Sequence, residues 1–119
     1  MNERGTAVIE FALVLPLILV LLLGIVEVAV IARTEIQLVH AAREGAREAA
    51  ASPDTERAAA AVRAALGDSA RAARISVSRP STVGKMTTVT VRFPYRVVAP
   101  IFGGFTVTMS SRASMRVER

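Results

Sequence analysis

From Phe11 to Val26 the chain carries no charge, and only Pro16 and Gly24 interrupt a run of apolar side chains. Glu27 breaks the run, and Val28 to Ala32 resumes it before Arg33. Phe11 to Ala32 covers 22 positions, and a bilayer's hydrocarbon core takes about 20 helical residues. The pattern therefore predicts one membrane-spanning helix with Glu27 near an interface. Pro16 lacks a backbone donor, a defect that lipid-embedded helices tolerate, with a kink as the expected consequence. Beyond the apolar block nothing but Gly45 interrupts a helical pattern before Pro53, which acts as a stop. Ile31, Leu38, Ala42, Gly45 and Ala49 recur at helical spacing as a stripe of apolar and small residues. Glu35, Arg43, Glu44, Arg47 and Glu48 form the solvated side, and the Ala and Gly positions would let a second helix approach closely. The expectation is one continuous helix from about Thr6 to Ser52, roughly 70 Å long at the usual helical rise.

Ser52-Pro-Asp-Thr-Glu56 reads as a turn leading into a helix, with acids in its first turn. The Ala-rich stretch to Leu66 continues that helix, and Gly67 ends it. After Gly67 the period changes to two. Ile75 and Val77 alternate with serines; Val89, Val91, Phe93, Tyr95 and Val97 alternate with Thr and Arg; so do the apolar positions from Phe105 to Val117. These are three strands, with Pro100–Gly104 as a hairpin loop. Setting Ala99 opposite Phe105 puts Val97 against Val107, Tyr95 against Met109, Val91 against Ala113 and Val89 against Met115, so that nearly every apolar residue lies on one face. The same register opposes Arg92 to Arg112, an unfavourable pair unless the face meets water or an anion. Pro94 belongs at an edge or bulge. The fold class is α+β: a long N-terminal helix, membrane-spanning in its first half, a short second helix, and a small three-stranded antiparallel sheet packed on the outer half of the long helix. About 65 residues with one apolar sheet face are marginal alone, so the sheet needs that helix as its cover.

Composition narrows the function. The 119 residues include no Cys and one His, which excludes disulfides, thiolate metal sites, thiol nucleophiles and imidazole-built zinc clusters. His40 reads as a solvated helix residue. No Ser/His/Asp set, phosphate-cradling Gly-rich loop or paired carboxylates in the sheet region suggests catalysis, and no cofactor or metal is expected. The net charge of +5 conceals an asymmetry: residues 6–69 net −3, whereas residues 70–119 net +8. A basic final third suits nucleic acid, anionic lipid, an acidic polymer or an acidic protein, and charge alone does not choose. Arg92, Arg96, Arg112 and Arg116 form a candidate basic binding face, with plain solvation as the simpler reading. Phe93 and Tyr95 lie on the opposite face from Arg92 and Arg96, which disfavours nucleic acid, whose readers interleave aromatics with basic residues.

The informative segment is Gly5-Thr-Ala-Val-Ile-Glu10-Phe11, directly ahead of the apolar block. A carboxylate at the edge of a membrane span needs a partner. Cutting the chain after Gly5 would create an ammonium at Thr6, one helical turn and a little more from Glu10. A flexible Gly5 before a helix, with Glu10 as an N-terminal helix acid, is the plainer alternative. A secretory signal peptide ending at Val30-Ile-Ala32 is another, opposed by Glu27, the early Pro16 and the length of the run.

These residues resemble type IV pilin-like precursors and, more narrowly, the TadE-like pseudopilins of tight-adherence (Tad) pilus systems. Gly5, Thr6 and Glu10 match the family's leader-ending Gly, cleavage site and fifth-position Glu. Phe11-Ala-Leu-Val-Leu-Pro16 matches its aromatic, Pro-interrupted start of the membrane span, and Met115-Arg-Val-Glu118 matches the family's C-terminal end more weakly. The leader departs from the usual charge pattern, since Glu3 offsets Arg4 and weakens the orientation signal. The resemblance implies a leader over residues 1–5, a transmembrane and assembly helix over 6–32 and an extracytoplasmic domain over 33–119. It implies a structural assembly subunit, not an enzyme, in which Glu10, with Phe11 and Pro16 beside it, meets a neighbour's N-terminal ammonium. Implied partners are a prepilin peptidase, other pilins or pseudopilins, inner-membrane platform proteins of the Tad apparatus, and membrane lipid. The implied location is the cytoplasmic (inner) membrane, single-pass, with the C-terminal domain outside the cytoplasm, and with an extracellular pilus as a further destination. The alternative is a membrane-tethered module whose basic sheet face captures an anionic polymer.

Overall fold

The computed structural model describes residues 2–97 and 104–118. The elements run in the order α1 (Glu3–Ala51), α2 (Thr55–Leu66), a 3-10 turn (Gly67–Arg71), β1 (Arg74–Ser78), β2 (Met86–Val97) and β3 (Phe105–Arg116). The backbone falls into two units, Met1–Ile31 and Ala32–Arg119.

In the first unit α1 is a helix without a core. Every described residue up to Val26 is exposed, and α1 continues through Pro16 rather than ending there. It starts at Glu3, three residues before the expected Thr6, so Gly5 and Thr6 are helical. The reason is local: Glu3 places an acid in the first turn, where the exposed amides favour negative charge.

The second unit has a core built of small residues. On α1, Leu38, Ala41, Ala42, Gly45, Ala46, Ala49 and Ala50 are buried, a strict three-and-four spacing that aims one stripe inward. The sequence pattern selected Leu38, Ala42, Gly45 and Ala49 among these; Ile31, the fifth residue of the expected stripe, lies in the first unit and is only half-buried. α2 begins with Asp54 as its cap, whose side chain accepts from the Glu56 amide at 3.0 Å, and buries Ala58, Ala59, Val62 and Leu66. Gly67 ends it at φ +60, a conformation few side chains accept, and Gln37 Nε2 of α1 donates to the Leu66 carbonyl at 3.1 Å.

The sheet has the order β1-β2-β3, antiparallel throughout. Its inner face contributes Val89 and Val91, both fully buried, with Val97 and Met109; Val117, just beyond β3, is buried as well. The buried Thr87 hydroxyl donates to the Ser78 carbonyl at 3.0 Å. Two bonds tie the sheet side to the last turn of α1: Arg79 Nε donates to the Ala49 carbonyl at 2.7 Å, and the Glu118 amide to the Ala50 carbonyl at 3.0 Å. Thus the outer part of α1, with α2, covers the sheet, in agreement with the expected α+β class.

The β2–β3 register differs from the expectation by two residues. Val97 faces Phe105, Tyr95 faces Val107, Val91 faces Ser111 and Val89 faces Ala113. An even shift leaves every side chain on its original face, so alternation could not have detected it. The slip also removes the direct opposition of Arg92 to Arg112: Arg92 pairs with Ser110, and Arg112 with Thr90. The expected loop Pro100–Gly104 lies outside the described residues except for Gly104, which has φ +77, and the expected pairing of Ala99 lies outside them too. Pro94 opposes Thr108 without a bulge, but β1 pairs with β2 only as far as Arg92. Pro94 therefore stands where β2 has a neighbour on one side only, which a residue without an amide donor tolerates.

Candidate assembly helix and basic sheet face

The first candidate site is the start of α1. The Gly5 and Thr6 amides both point to the Asn2 carbonyl, at 3.0 and 3.3 Å, closing the first turn. A Cβ built on Gly5 meets nothing within 4 Å. Packing thus does not require glycine there, and glycine in a helix costs about 0.5–1 kcal/mol relative to alanine. Glu10 is exposed on the same helix, four residues after Thr6, a rise of about 6 Å. Its neighbours are apolar and equally bare: Ile9 is 55% exposed and Phe11 64%. Pro16 is exposed within the same helix.

Between Val8 and Val30, seventeen large apolar side chains are exposed. At about 1.5–3 kcal/mol for burying each one, leaving them in water would cost tens of kcal/mol, more than the net stability of an ordinary domain. This surface must be covered by lipid or by other apolar helices, and α1 is the one helix among the described residues long and apolar enough to cross a membrane.

The second candidate site is the outer sheet face. Arg92, Arg96, Arg112 and Arg116 are all exposed on it. Register places Arg112 one diagonal step from Arg92, whereas Arg96, opposite Thr106, and Arg116, opposite Met86, lie towards its two ends. A fifth arginine, which the sequence pattern did not supply, completes the set. Arg74 opens β1 and faces Arg92 directly. Its signal was the phase of Ile75 and Val77, which extends one residue backwards to put Arg74 beside Ser76 and Ser78. Arg74, Arg92 and Arg112 line one shallow depression with Ile75, Ser76 and Thr90.

The rest of the outer face is almost wholly hydroxylic. Ser76 and Ser78 of β1, Thr88 and Thr90 of β2, and Thr106, Thr108, Ser110 and Ser114 of β3 share it. Thr88 and Ser114 hydroxyls bond each other at 2.9 Å. Met86 and Pro94 are its only other members, so no described carboxylate lies on this face. Three ion pairs, Arg47–Glu44, Arg57–Glu48 and Arg63–Glu56, belong to the helices. None involves the five sheet arginines.

A bare apolar helix joined in sequence to a small α+β unit fits a membrane-anchored protein. Consistent with that class, residues 5–47 match the family described as TadE-like protein. The matched stretch covers the Gly5–Glu10 segment, the apolar block and the α1 stripe as far as Arg47, and it is the family to which the N-terminal motif bears its resemblance. No curated protein and no solved structure matches the chain.

Proposed function

We propose that the chain is a minor pilin or pseudopilin of a Tad-type pilus or secretion apparatus. A prepilin peptidase cuts between Gly5 and Thr6, residues 6–32 hold the subunit in the cytoplasmic membrane, and residues 33–119 lie outside the cytoplasm. The subunit then joins other pilins and the inner-membrane platform through its N-terminal helix. The observation that carries this reading is the coincidence of two features in one segment: the TadE-like match over residues 5–47 and seventeen exposed large apolar side chains between Val8 and Val30.

Two details of the start of α1 support the processing step. A Cβ at Gly5 would meet nothing within 4 Å, so packing does not account for its missing side chain. Because it sits in the first turn, it also lowers the cost of unwinding that turn for a peptidase. Glu10 takes the assembly role. In a low-dielectric bundle its carboxylate needs a cation, and a neighbouring helix displaced by about one turn would bring its Thr6 ammonium alongside.

N-terminal sequencing of the membrane-bound protein tests the processing step. A mature chain beginning at Thr6 is expected, and one beginning at Met1 in cells with an active prepilin peptidase overturns it. Glu10→Ala should leave the protein in the membrane fraction and remove it from filaments; wild-type incorporation would refute the role given to Glu10.

A further inference from the structure

We propose that the outer sheet face is a binding track for an extended acidic polysaccharide. This inference does not depend on leader processing or on filament assembly.

The register sets the geometry. Ordered along the strand axis by their β2 level, the arginines are Arg116 at Met86, Arg112 at Thr90, Arg92 beside Arg74, and Arg96. Ten residue steps separate the ends, a span of about 34 Å at the rise of an antiparallel strand. A small anion would occupy one pair of guanidinium groups; a row this long suits a linear polymer carrying charge at intervals. The row is held open at a cost, since Arg74 and Arg92 are like charges directly opposite each other and neither has a carboxylate partner on the face. An anion lying between them turns that repulsion into paired attraction.

The remaining chemistry selects the kind of polymer. Eight of the fifteen residues on the face are Ser or Thr. Hydroxyls donate as well as accept, which complements a chain of sugar hydroxyls, whereas the phosphates of a nucleic acid only accept. The aromatics that could stack bases, Phe93 and Tyr95, alternate onto the inner face. A second copy of this chain fits poorly, because residues 33–69 carry six acids and five bases, and three of those acids already lie in ion pairs.

The test uses the full chain in detergent micelles with alginate, a linear polyuronate, as the probe, and with neutral dextran and duplex DNA as comparisons. Alginate should bind with salt-dependent affinity, and dextran should not. The Arg92→Ser/Arg112→Ser double variant should weaken alginate binding by at least about tenfold, the scale expected for losing two charge-assisted contacts. Arg43→Ser/Arg47→Ser, which removes equal charge from α1, should stay within about twofold of wild type. Should the first double variant fail to fold, Arg96→Ser/Arg116→Ser at the ends of the track replaces it, with long alginate losing affinity and a diuronate unaffected. The proposal is overturned if alginate does not bind at low salt, if the α1 variant loses as much as the sheet variant, or if duplex DNA binds as tightly as alginate.

Discussion

Gly45 offers the sharpest test of how the second unit is packed. Two effects of Gly45→Ala oppose each other. Alanine in a helix interior is favoured over glycine by about 0.8–1 kcal/mol. A Cβ at this position, however, would overlap Val62 Cγ2, lie 3.0 Å from Val89 Cγ1 and stand 3.5 Å from the Ala58 carbonyl oxygen. Val62 and Val89 are both fully buried, and β-branched side chains have little rotamer freedom with which to retreat. Overpacking of a tight core costs about 1–3 kcal/mol. With two rigid neighbours on either side the upper part of that range applies, for a net loss of about 1–2 kcal/mol.

For a domain of this size each kcal/mol moves Tm by about 4–8 °C. Thermal unfolding by circular dichroism, on the full chain in detergent, should therefore show Gly45→Ala melting several degrees lower. Hydrogen exchange at the Val89 and Val91 amides should accelerate in parallel. Gly24→Ala is the internal control, because a Cβ there meets nothing within 4 Å and the same helix gains propensity without a clash. Adding Val62→Ala to Gly45→Ala should recover part of the loss, as contacting sites are non-additive. If Gly45→Ala raises Tm instead, the close approach of α1, α2 and β2 at this point is wrong.

Three further outcomes follow from the same geometry. Asp54→Ala removes the oxygen that accepts from the Glu56 amide and should cost about 1 kcal/mol, read as a lower denaturation midpoint with unchanged slope; an unshifted midpoint would show that the cap contributes nothing. Arg92→Ser relieves the opposition to Arg74 and should leave the unfolding free energy unchanged or raise it by about a few tenths of a kcal/mol, whereas a clear fall in stability would mean that the arginine stem is part of the packing. Leu21→Lys places a charge in the apolar run at about 2.5–3.5 kcal/mol. The other exposed apolar side chains outweigh that cost, so the variant should still sediment with membranes, and its release into the soluble fraction would contradict that weighing.

The long helix and its inward stripe were legible because both depend on local pattern: only Gly45 interrupts between Arg33 and Ala51, and Leu38, Ala42, Gly45 and Ala49 repeat at helical spacing. The companion row of Ala41, Ala46 and Ala50 was not, since α1 has alanines on several faces and only tertiary contact decides which are buried. The expected start at Thr6 falls three residues late, because Glu3 places a favourable acid in the first turn of the helix. In the sheet, period two fixes the face but not the partner, so Arg92 was assigned to the correct side and to the wrong neighbour. Arg74 escaped notice because the strand was begun at Ile75, and with it escaped the one direct like-charge opposition on the face.

The glycines carry the argument one step further. Gly45 is required by Val62 and Val89, so its smallness is accounted for by the fold. Gly5 and Gly24 meet nothing within 4 Å and sit in helical backbone where alanine would be more stable. A residue that weakens its own helix without easing any contact answers to something outside the isolated chain. At Gly5 this is what the proposed cleavage between Gly5 and Thr6 would require, and the mature N-terminus of the membrane-bound protein decides it.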